Sequence, residues 1–348
     1  MTIQIGKQKI GKGFPSFIIA ELSANHNQKI EIAIETIKAA KKAGADAVKF
    51  QTYTADTITI DCNSDLFKIN HNTLWDGNNL HKLYQQAYTP WEWQPELKRI
   101  AEAEGLICFS SPFDNSAVDF LEKMNVPAYK IASMEITDIP LIQYVASKGK
   151  PVIISTGIAE EPEIKEAIEA CYAVGNKQVI ILKCTSEYPA TFSEMNLMSI
   201  PYIEKMFNVP VGLSDHSMGT EATIAAVALG ACVVEKHFII DREIGGPDAV
   251  FSMNLEEFSS MVKQIRNIES AIGTYEYTLS DKIKVSRWNR RSLFVCEDVK
   301  AGQIITTREV RSIRPGAGLH PRHLPEVIGK KVKRDLEKGT PFSLDMIE

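Results

Sequence analysis

No stretch of this 348-residue chain reaches the roughly 18 consecutive apolar residues that a membrane-spanning helix requires. The opening MTIQIGKQKIGKGFPSFIIAEL also lacks the long apolar core of a secretory signal behind a basic start. Cysteine is sparse and unpatterned: the six residues Cys62, Cys108, Cys171, Cys184, Cys232 and Cys296 form no CxxC pair. Cys108, Cys184 and Cys232 sit within or beside apolar runs, where a reduced thiol behaves as a small hydrophobe, so the expected compartment is a reducing cytoplasm. A basic excess is missing too. With 39 Lys and Arg against 44 Asp and Glu the net charge is −5, which argues against nucleic acid as a partner.

What is present is a well-cored composition, 44% hydrophobic and 24% charged, with short β-branched runs that recur along the chain. They are Phe17–Ala20, Ala47–Gln51, Leu106–Ser110, Ala128–Ile131, Val152–Ser155, Val179–Lys183, Val211–Leu213 and Cys232–Lys236. Between them lie amphipathic stretches with helical spacing, among them Ile30–Ala43, Pro95–Glu104, Ile164–Ala173 and Thr220–Leu229. Gly44 and Gly230 stand where a left-handed residue ends a helix, and Pro151 and Pro210 stand at strand starts. Eight such units predict an α/β fold of the (β/α)8 TIM-barrel type over residues 1–272. An open doubly wound sheet is the alternative, and the absence of GxGxxG after the first run weakens it. The longest insertion, about Ala55 to Trp93, carries His71, Trp75, Trp91 and Trp93 and predicts part of a lid. Residues 273–289 read as a linker. Residues 290–348, with turn signals at AGQ and KGT, read as a small, partly β domain that docks on a barrel.

Active sites of such barrels gather at the carboxyl ends of the strands. Here those ends carry Glu21, Lys49 with Gln51, Ser110 with Ser111, Lys130 with Ser133 and Glu135, and Ser155 with Thr156. They continue with Lys183 and Thr185, Ser214-Asp215-His216, and Lys236-His237. Lys130, Ser133, Ser155 and Ser214 supply a cation and hydroxyls suited to phosphate, and Gly157 lets backbone N–H groups approach an anion. His216 and His237 end neighbouring strands and pair either as ligands of a divalent metal or as two satisfied structural histidines. Glu21 is placed to act as a base beside such a metal. Lys49, Lys130, Lys183 and Lys236 leave a Schiff-base aldolase open, although the surrounding hydroxyls favour phosphate clamping.

The segments FIIAELSANHNQ, KKAGADAVKFQTYTADT, ICFSSPFD, AYKIASMEI, PVIISTGIA, LKCTSEYP, VGLSDHSMGT, VEKHFIIDREIGGPDAVFSM and RSIRPGAGLHP resemble the sialic acid synthase family along essentially the whole chain. The AELSANH start and the segment LWDGNNLHKLYQQAYTPWEW look closest to the pseudaminic acid synthases. The resemblance implies a TIM barrel followed by a C-terminal antifreeze-like (SAF, β-clip) domain. It implies condensation of phosphoenolpyruvate with an acetamido sugar, here 2,4-diacetamido-2,4,6-trideoxy-L-altrose. Neuraminate- and legionaminate-type acceptors are the alternatives, and a non-enzymatic carbohydrate-binding protein is a more distant one.

By the same resemblance Lys49, Gln51, Lys130, Ser133, Ser155 and Ser214 hold phosphoenolpyruvate, and Mn²⁺ or Mg²⁺ sits on His216 and His237. Glu21 is the matching base, and Glu135, Ser186, Tyr188 and Asp248 match acceptor contacts. Ser186 stands where neuraminate synthases have Asn, which points to a different sugar. Arg314 matches an arginine sent into a partner subunit's site, implying a domain-swapped homodimer. Phe113, Met134 and Met253 are expected near the mouth, where they suit a 6-deoxy methyl group.

Overall fold

The eight apolar runs form strands that are buried along both faces, as parallel strands covered by helices must be. In the computed structural model, which describes residues 1–70, 74–274 and 276–348, they are β1 (Phe17–Glu21), β2 (Ala47–Thr52), β3 (Ile107–Pro112) and β4 (Tyr129–Ile131). β5 (Val152–Ser155), β6 (Val179–Cys184), β7 (Val211–Asp215) and β8 (Val233–His237) complete the set. All pairings are parallel, and β8 pairs with both β7 and β1, so the sheet closes into a barrel. The open-sheet alternative is thereby excluded. Contacts divide the chain into two units, Met1–Gly273 and Thr274–Glu348.

Local chemistry sets the connections. The helix Ile30–Ala43 turns Ala33, Ile37 and Ala40 inward, and Gly44, at φ 91°, ends it in the left-handed region that side chains avoid. The last helix of the barrel unit, Leu255–Ile272, opens on a reciprocal capping box between Asn254 and Glu257. A feature absent from the sequence reading precedes β1: Ile3–Ile5 and Gln8–Ile10 form an antiparallel hairpin. Its Ile3, Ile5 and Ile10 join the core cluster of Phe17 and Phe109, closing the end of the barrel away from the polar strand termini. Burial of each is worth about 2 kcal/mol.

The insertion between β2 and β3 contains two short helices, Ala55–Ile58 and Leu80–Ala87, and 3-10 turns at Asp65–Phe67 and Trp91–Trp93. His71, named in the sequence reading, lies outside the described residues. Among the described residues no helix is long and apolar enough to cross a membrane.

The smaller unit pairs β9 (Ser292–Val295) with β10 (Val310–Ile313) antiparallel and adds isolated bridges such as Val299 to Leu336. Leu293, Val295, Val310, Val327, Val332 and Phe342 form its own core. Gly318 lies so close to the Leu293 carbonyl that a Cβ there would sit 2.1 Å from the oxygen. The 273–289 stretch carries a helix, Asp281–Ser286, capped by Ser280.

Candidate active site

Strand alternation places every second side chain on the same face. Glu21 on β1, Lys49 on β2 and Glu235 on β8 therefore converge at one level of the barrel. The Lys49 ammonium is 3.2 Å from Glu21 Oε2 and 3.0 Å from Glu235 Oε2. Lys130 lies 3.7 Å from the other oxygen of Glu235 and donates to the Ile131 carbonyl at 3.2 Å. Ser214 donates to Glu235 Oε1 at 3.0 Å. All four charged groups are almost fully buried.

Their charge states follow from that placement. Burial pushes Glu235 up, but Lys130 and Lys49 more than offset it, so it stays ionised. Glu21 moves the other way: burial, reinforced by Glu235 and only partly opposed by Lys49, raises it above the usual carboxylate range. Burial lowers Lys130 to about 8 against the pull of Glu235. Two cations facing one fixed carboxylate and one protonatable carboxylate make an anion-accepting cradle with an acid–base group on its edge.

Of the hydroxyls expected around Lys130, Ser214 shares Glu235 Oε1 with it, and Ser155 Oγ is buried without a hydrogen-bond partner. Ser133 accepts the Gly157 N–H at 3.0 Å. A Cβ at position 157 would come within 2.7 Å of Ser133 Oγ and 2.0 Å of Ser186 Oγ, so glycine alone leaves the space between them open. Cys184 Sγ is 3.9 Å from Ser186 Oγ and 3.8 Å from His216 Nδ1. Burial raises this thiol, but His216, Ser133 and Lys130 outweigh it and bring it to about 6.

Beside Cys184, the rings of His216 and His237 are 5.3 Å apart. His216 Nδ1 donates to the Thr185 carbonyl at 3.0 Å; burial lowers this ring, but Cys184, the Thr185 carbonyl and Asp215 more than offset that and raise it above its usual range. His237 Nδ1 is buried without a hydrogen-bond partner and lies 3.9 Å from Asp248 Oδ2. Burial, His216 and Lys49 hold His237 well below its usual range, and hence neutral. Once His216 gives up its second proton, the two imidazoles fit a divalent cation by donor chemistry. Among the described residues no cluster of three or more His, Cys, Asp or Glu side chains surrounds one point. Tyr188 stacks between this pair and the insertion, with ring centroids 4.3 Å from His216 and 5.6 Å from Trp75.

Among the described residues, Ser111 Oγ, Glu135 Oε2, Ser155 Oγ and His237 Nδ1 are buried at or just beyond strand ends without a hydrogen-bond partner, while Glu21 Oε2 and Glu235 Oε2 have only the Lys49 ammonium. Buried polar groups are ordinarily satisfied, so a concentration of this kind marks a surface shaped for a ligand. Glu135 sits on the turn Ser133–Glu135, and burial, opposed by Lys130, raises it to about 7.

The structure redistributes three of the sequence-predicted groups. Lys236 faces away from Glu235 and His237 and is locked at 2.6 Å to Asp215, which also accepts from Thr223 on the outer helix. Lys183, on the same outward register of β6, donates to the Cys184 carbonyl at 2.6 Å. Neither is available as a Schiff-base lysine in the barrel. Met253, expected at the mouth, instead packs in the outer cluster with Phe258 and Met261, because the chain after β8 runs back over the helices. Met134 is exposed, and Phe113 packs edge-on against Tyr53 at 5.1 Å. Arg314 belongs to the smaller unit and is exposed there. The main residue that sequence reasoning missed is Glu235. Its signal was the alternation in VVEKH, which puts it on the face of His237.

The NeuB family model matches residues 36–277 and the SAF domain model matches residues 290–348. The pseudaminic acid synthase of Campylobacter jejuni strain 81-176 is 46% identical over 323 residues, covering 93% of this chain and 94% of its own. The pseudaminic acid synthase of Helicobacter pylori is 44% identical over 335 residues, covering 96% and 98%. Among solved structures, the N-acetylneuraminic acid synthetase of Leptospira borgpetersenii, crystallised with citrate, aligns with a TM-score of 0.74 at 29% identity, over 82% of this chain and 95% of that one.

Proposed function

We infer that this chain, which belongs to the NeuB family and ends in a SAF domain, condenses phosphoenolpyruvate with 2,4-diacetamido-2,4,6-trideoxy-L-altrose to give pseudaminic acid. The observation that carries the reading is the buried Lys49–Glu235–Lys130 cradle at the strand ends, with the unbonded Ser111, Glu135, Ser155 and His237 atoms beside the same strand ends. Phosphoenolpyruvate brings a carboxylate and a phosphate. Lys49 and Gln51 suit the first, and Lys130, Ser133, Ser155 and Ser214 the second. His216 and His237 would hold a divalent cation, Mn²⁺ or Mg²⁺, which when bound supplies Lewis acidity toward the acceptor's aldehyde oxygen.

The chemistry asked of the chain's own residues is positioning, charge stabilisation and proton movement. C3 of phosphoenolpyruvate bonds to the aldehyde carbon, leaving C2 electron-deficient and the aldehyde oxygen in need of a proton. Water adds at C2 and loses one proton, which balances the one that joins the new hydroxyl. The C2–O bond to phosphate then breaks as the remaining C2 hydroxyl becomes the ketone and its proton passes to the phosphate, so the exchange balances without a co-reactant. Glu21, raised by burial and tethered to Lys49 and Gln51, is the group placed to move the proton lost by the water. Lys130 and the serines stabilise the departing phosphate.

Parallel assays of phosphate release, with phosphoenolpyruvate and each of the pseudaminic, legionaminic and neuraminic precursors, test the reading. Preference for either of the latter two moves the assignment to that acceptor, and no release with any of them ends it. The lowered pKa of Lys130 favours a second chemistry, a Schiff-base aldolase. A pyruvyl adduct on Lys130 trapped by borohydride would establish it in place of C–O cleavage.

Two further features belong to the same proposal. The exposed Arg314 is suited to reach the site of a second copy in a domain-swapped homodimer. Restored turnover on mixing Arg314→Ala and Glu21→Gln chains is the expected result. The six cysteines are free, which supports work in a reducing cytoplasm.

A further inference from the structure

We propose that Ser23 is a positioning residue that fixes the acceptor side of this site by holding the Asp248 carboxylate, and is itself anchored by the Gln51 amide on the phosphoenolpyruvate side. The proposal rests on the phosphoenolpyruvate–sugar reading above. Ser23 lies two residues beyond Glu21, and its backbone adopts φ 44°, a left-handed conformation that a residue with a Cβ seldom takes. Asn27 and Gln28 in the same loop are also left-handed, at 49° and 56°. Such clusters persist only where surrounding interactions over-determine the chain.

The interactions that hold Ser23 there are specific. Its hydroxyl is buried, donates to Asp248 Oδ2 and accepts from Gln51 Nε2 at 3.0 Å. The same amide nitrogen donates to Glu21 Oε1 at 3.0 Å, and the Ala24 N–H reaches Asp248 Oδ2 at 3.4 Å. A hydroxyl has one proton to give and lone pairs to offer, and both capacities are used. Ser23 thus joins a side chain of β2 to one in the loop that follows β8, across the β1 strand lying between them in the closed sheet. With the hydroxyl removed, Asp248 Oδ2 keeps the Ala24 N–H and the distant His237 ring, 3.9 Å away. Gln51 keeps one partner instead of two.

Backbone and side chain make opposite demands at this position. The φ angle favours glycine, whereas the two hydrogen bonds require the hydroxyl. Replacement by glycine therefore separates folding from function: it relieves the backbone while releasing Asp248 and Gln51.

The test measures thermal melting, and phosphate release with phosphoenolpyruvate and the acceptor sugar varied independently, in the full-length wild type, Ser23→Gly and Ser23→Ala. Ser23→Gly is expected to melt at or above the wild type, to keep the KM for phosphoenolpyruvate within about twofold because Gln51 stays bonded to Glu21, and to lose roughly tenfold in kcat/KM for the acceptor, whose contact Asp248 is released. Ser23→Ala is expected to show the same kinetic loss and to melt below Ser23→Gly. Wild-type acceptor kinetics in Ser23→Gly would overturn the proposal. So would equal losses toward both substrates accompanied by a lower melting point, which mark a merely structural role. A wild type that releases no phosphate with any acceptor would instead sink the underlying functional reading.

Discussion

Acidification from pH 7 to pH 4 is expected to weaken the attachment of the β2–β3 insertion to the barrel through one side chain, His26. This ring lies in the loop after β1 and is only 3% exposed. Its Nδ1 accepts the Gln28 N–H at 3.2 Å, so the proton sits on Nε2, 3.0 Å from Thr89 Oγ1 at the far end of the insertion. Trp93 packs edge-on against it at 5.7 Å. Burial holds its pKa at about 4, against an ordinary 6.5. Protonation would also place a second N–H against the Gln28 donor.

Because the folded value is depressed, the unfolded chain binds its proton first as the pH falls below 6.5. Stability is therefore untouched above that point and is lost on the way down to about 4. At about 1.36 kcal/mol per unit, the difference amounts to about 3 kcal/mol. Urea denaturation followed by tryptophan fluorescence, at pH 7 and pH 4, should show the wild type losing about that much more than His26→Gln over this interval. Carboxylates elsewhere contribute to both proteins and cancel in the comparison. Labelled-histidine NMR gives the direct check, a His26 titration midpoint near 4. A midpoint near 6.5, or equal pH dependence in the two proteins, would refute the reasoning.

The remaining expectations concern the barrel interior and its ligands. Gly212→Ala puts a methyl 2.4 Å from the Val233 carbonyl oxygen and 2.7 Å from Leu182 Cδ2. Overpacking of that kind costs roughly 1–3 kcal/mol and should lower Tm by several degrees, whereas an unchanged Tm would mean that β7 and β8 part freely. Lys130→Met leaves Glu235 paired with Lys49 alone. Calorimetric titration should then show phosphoenolpyruvate affinity falling by about tenfold or more, about 1.4 kcal/mol, and undiminished affinity would remove Lys130 from the phosphate cradle. EDTA should abolish phosphate release and added Mn²⁺ should restore it. Full turnover in chelator would strip His216 and His237 of their assigned cation.

Much of the architecture was legible because burial on both faces of a parallel strand leaves a continuous apolar run, and each such run here became a barrel strand. Helix limits were legible where chemistry marks them, as at Gly44. The N-terminal hairpin was not. Two three-residue strands carry too little periodicity to register, and their role as a floor depends on where the barrel lies. Met253 was misplaced because a hydrophobic residue near polar motifs looks the same whether it lines a pocket or packs beneath it. Ser23 escaped notice because a serine in a loop gives no sign of its φ angle.

The sequence by itself determined which residues end the strands, since the alternation of apolar runs and helices is written in local spacing. It thereby placed Glu21, Lys49, Lys130, Ser155, Ser214 and His237 at one end of a barrel. Only the tertiary structure decided what those residues do to one another. Closure of the sheet brings β8 against β1, and with it Glu235 against Lys49 and Asp248 against Ser23. Strand alternation turns Lys236 outward although it neighbours Glu235 in sequence, and only the fold shows that Asp215 meets it there. Charge state depends on burial and on partners a few ångströms away across strands. No local spacing encodes those distances.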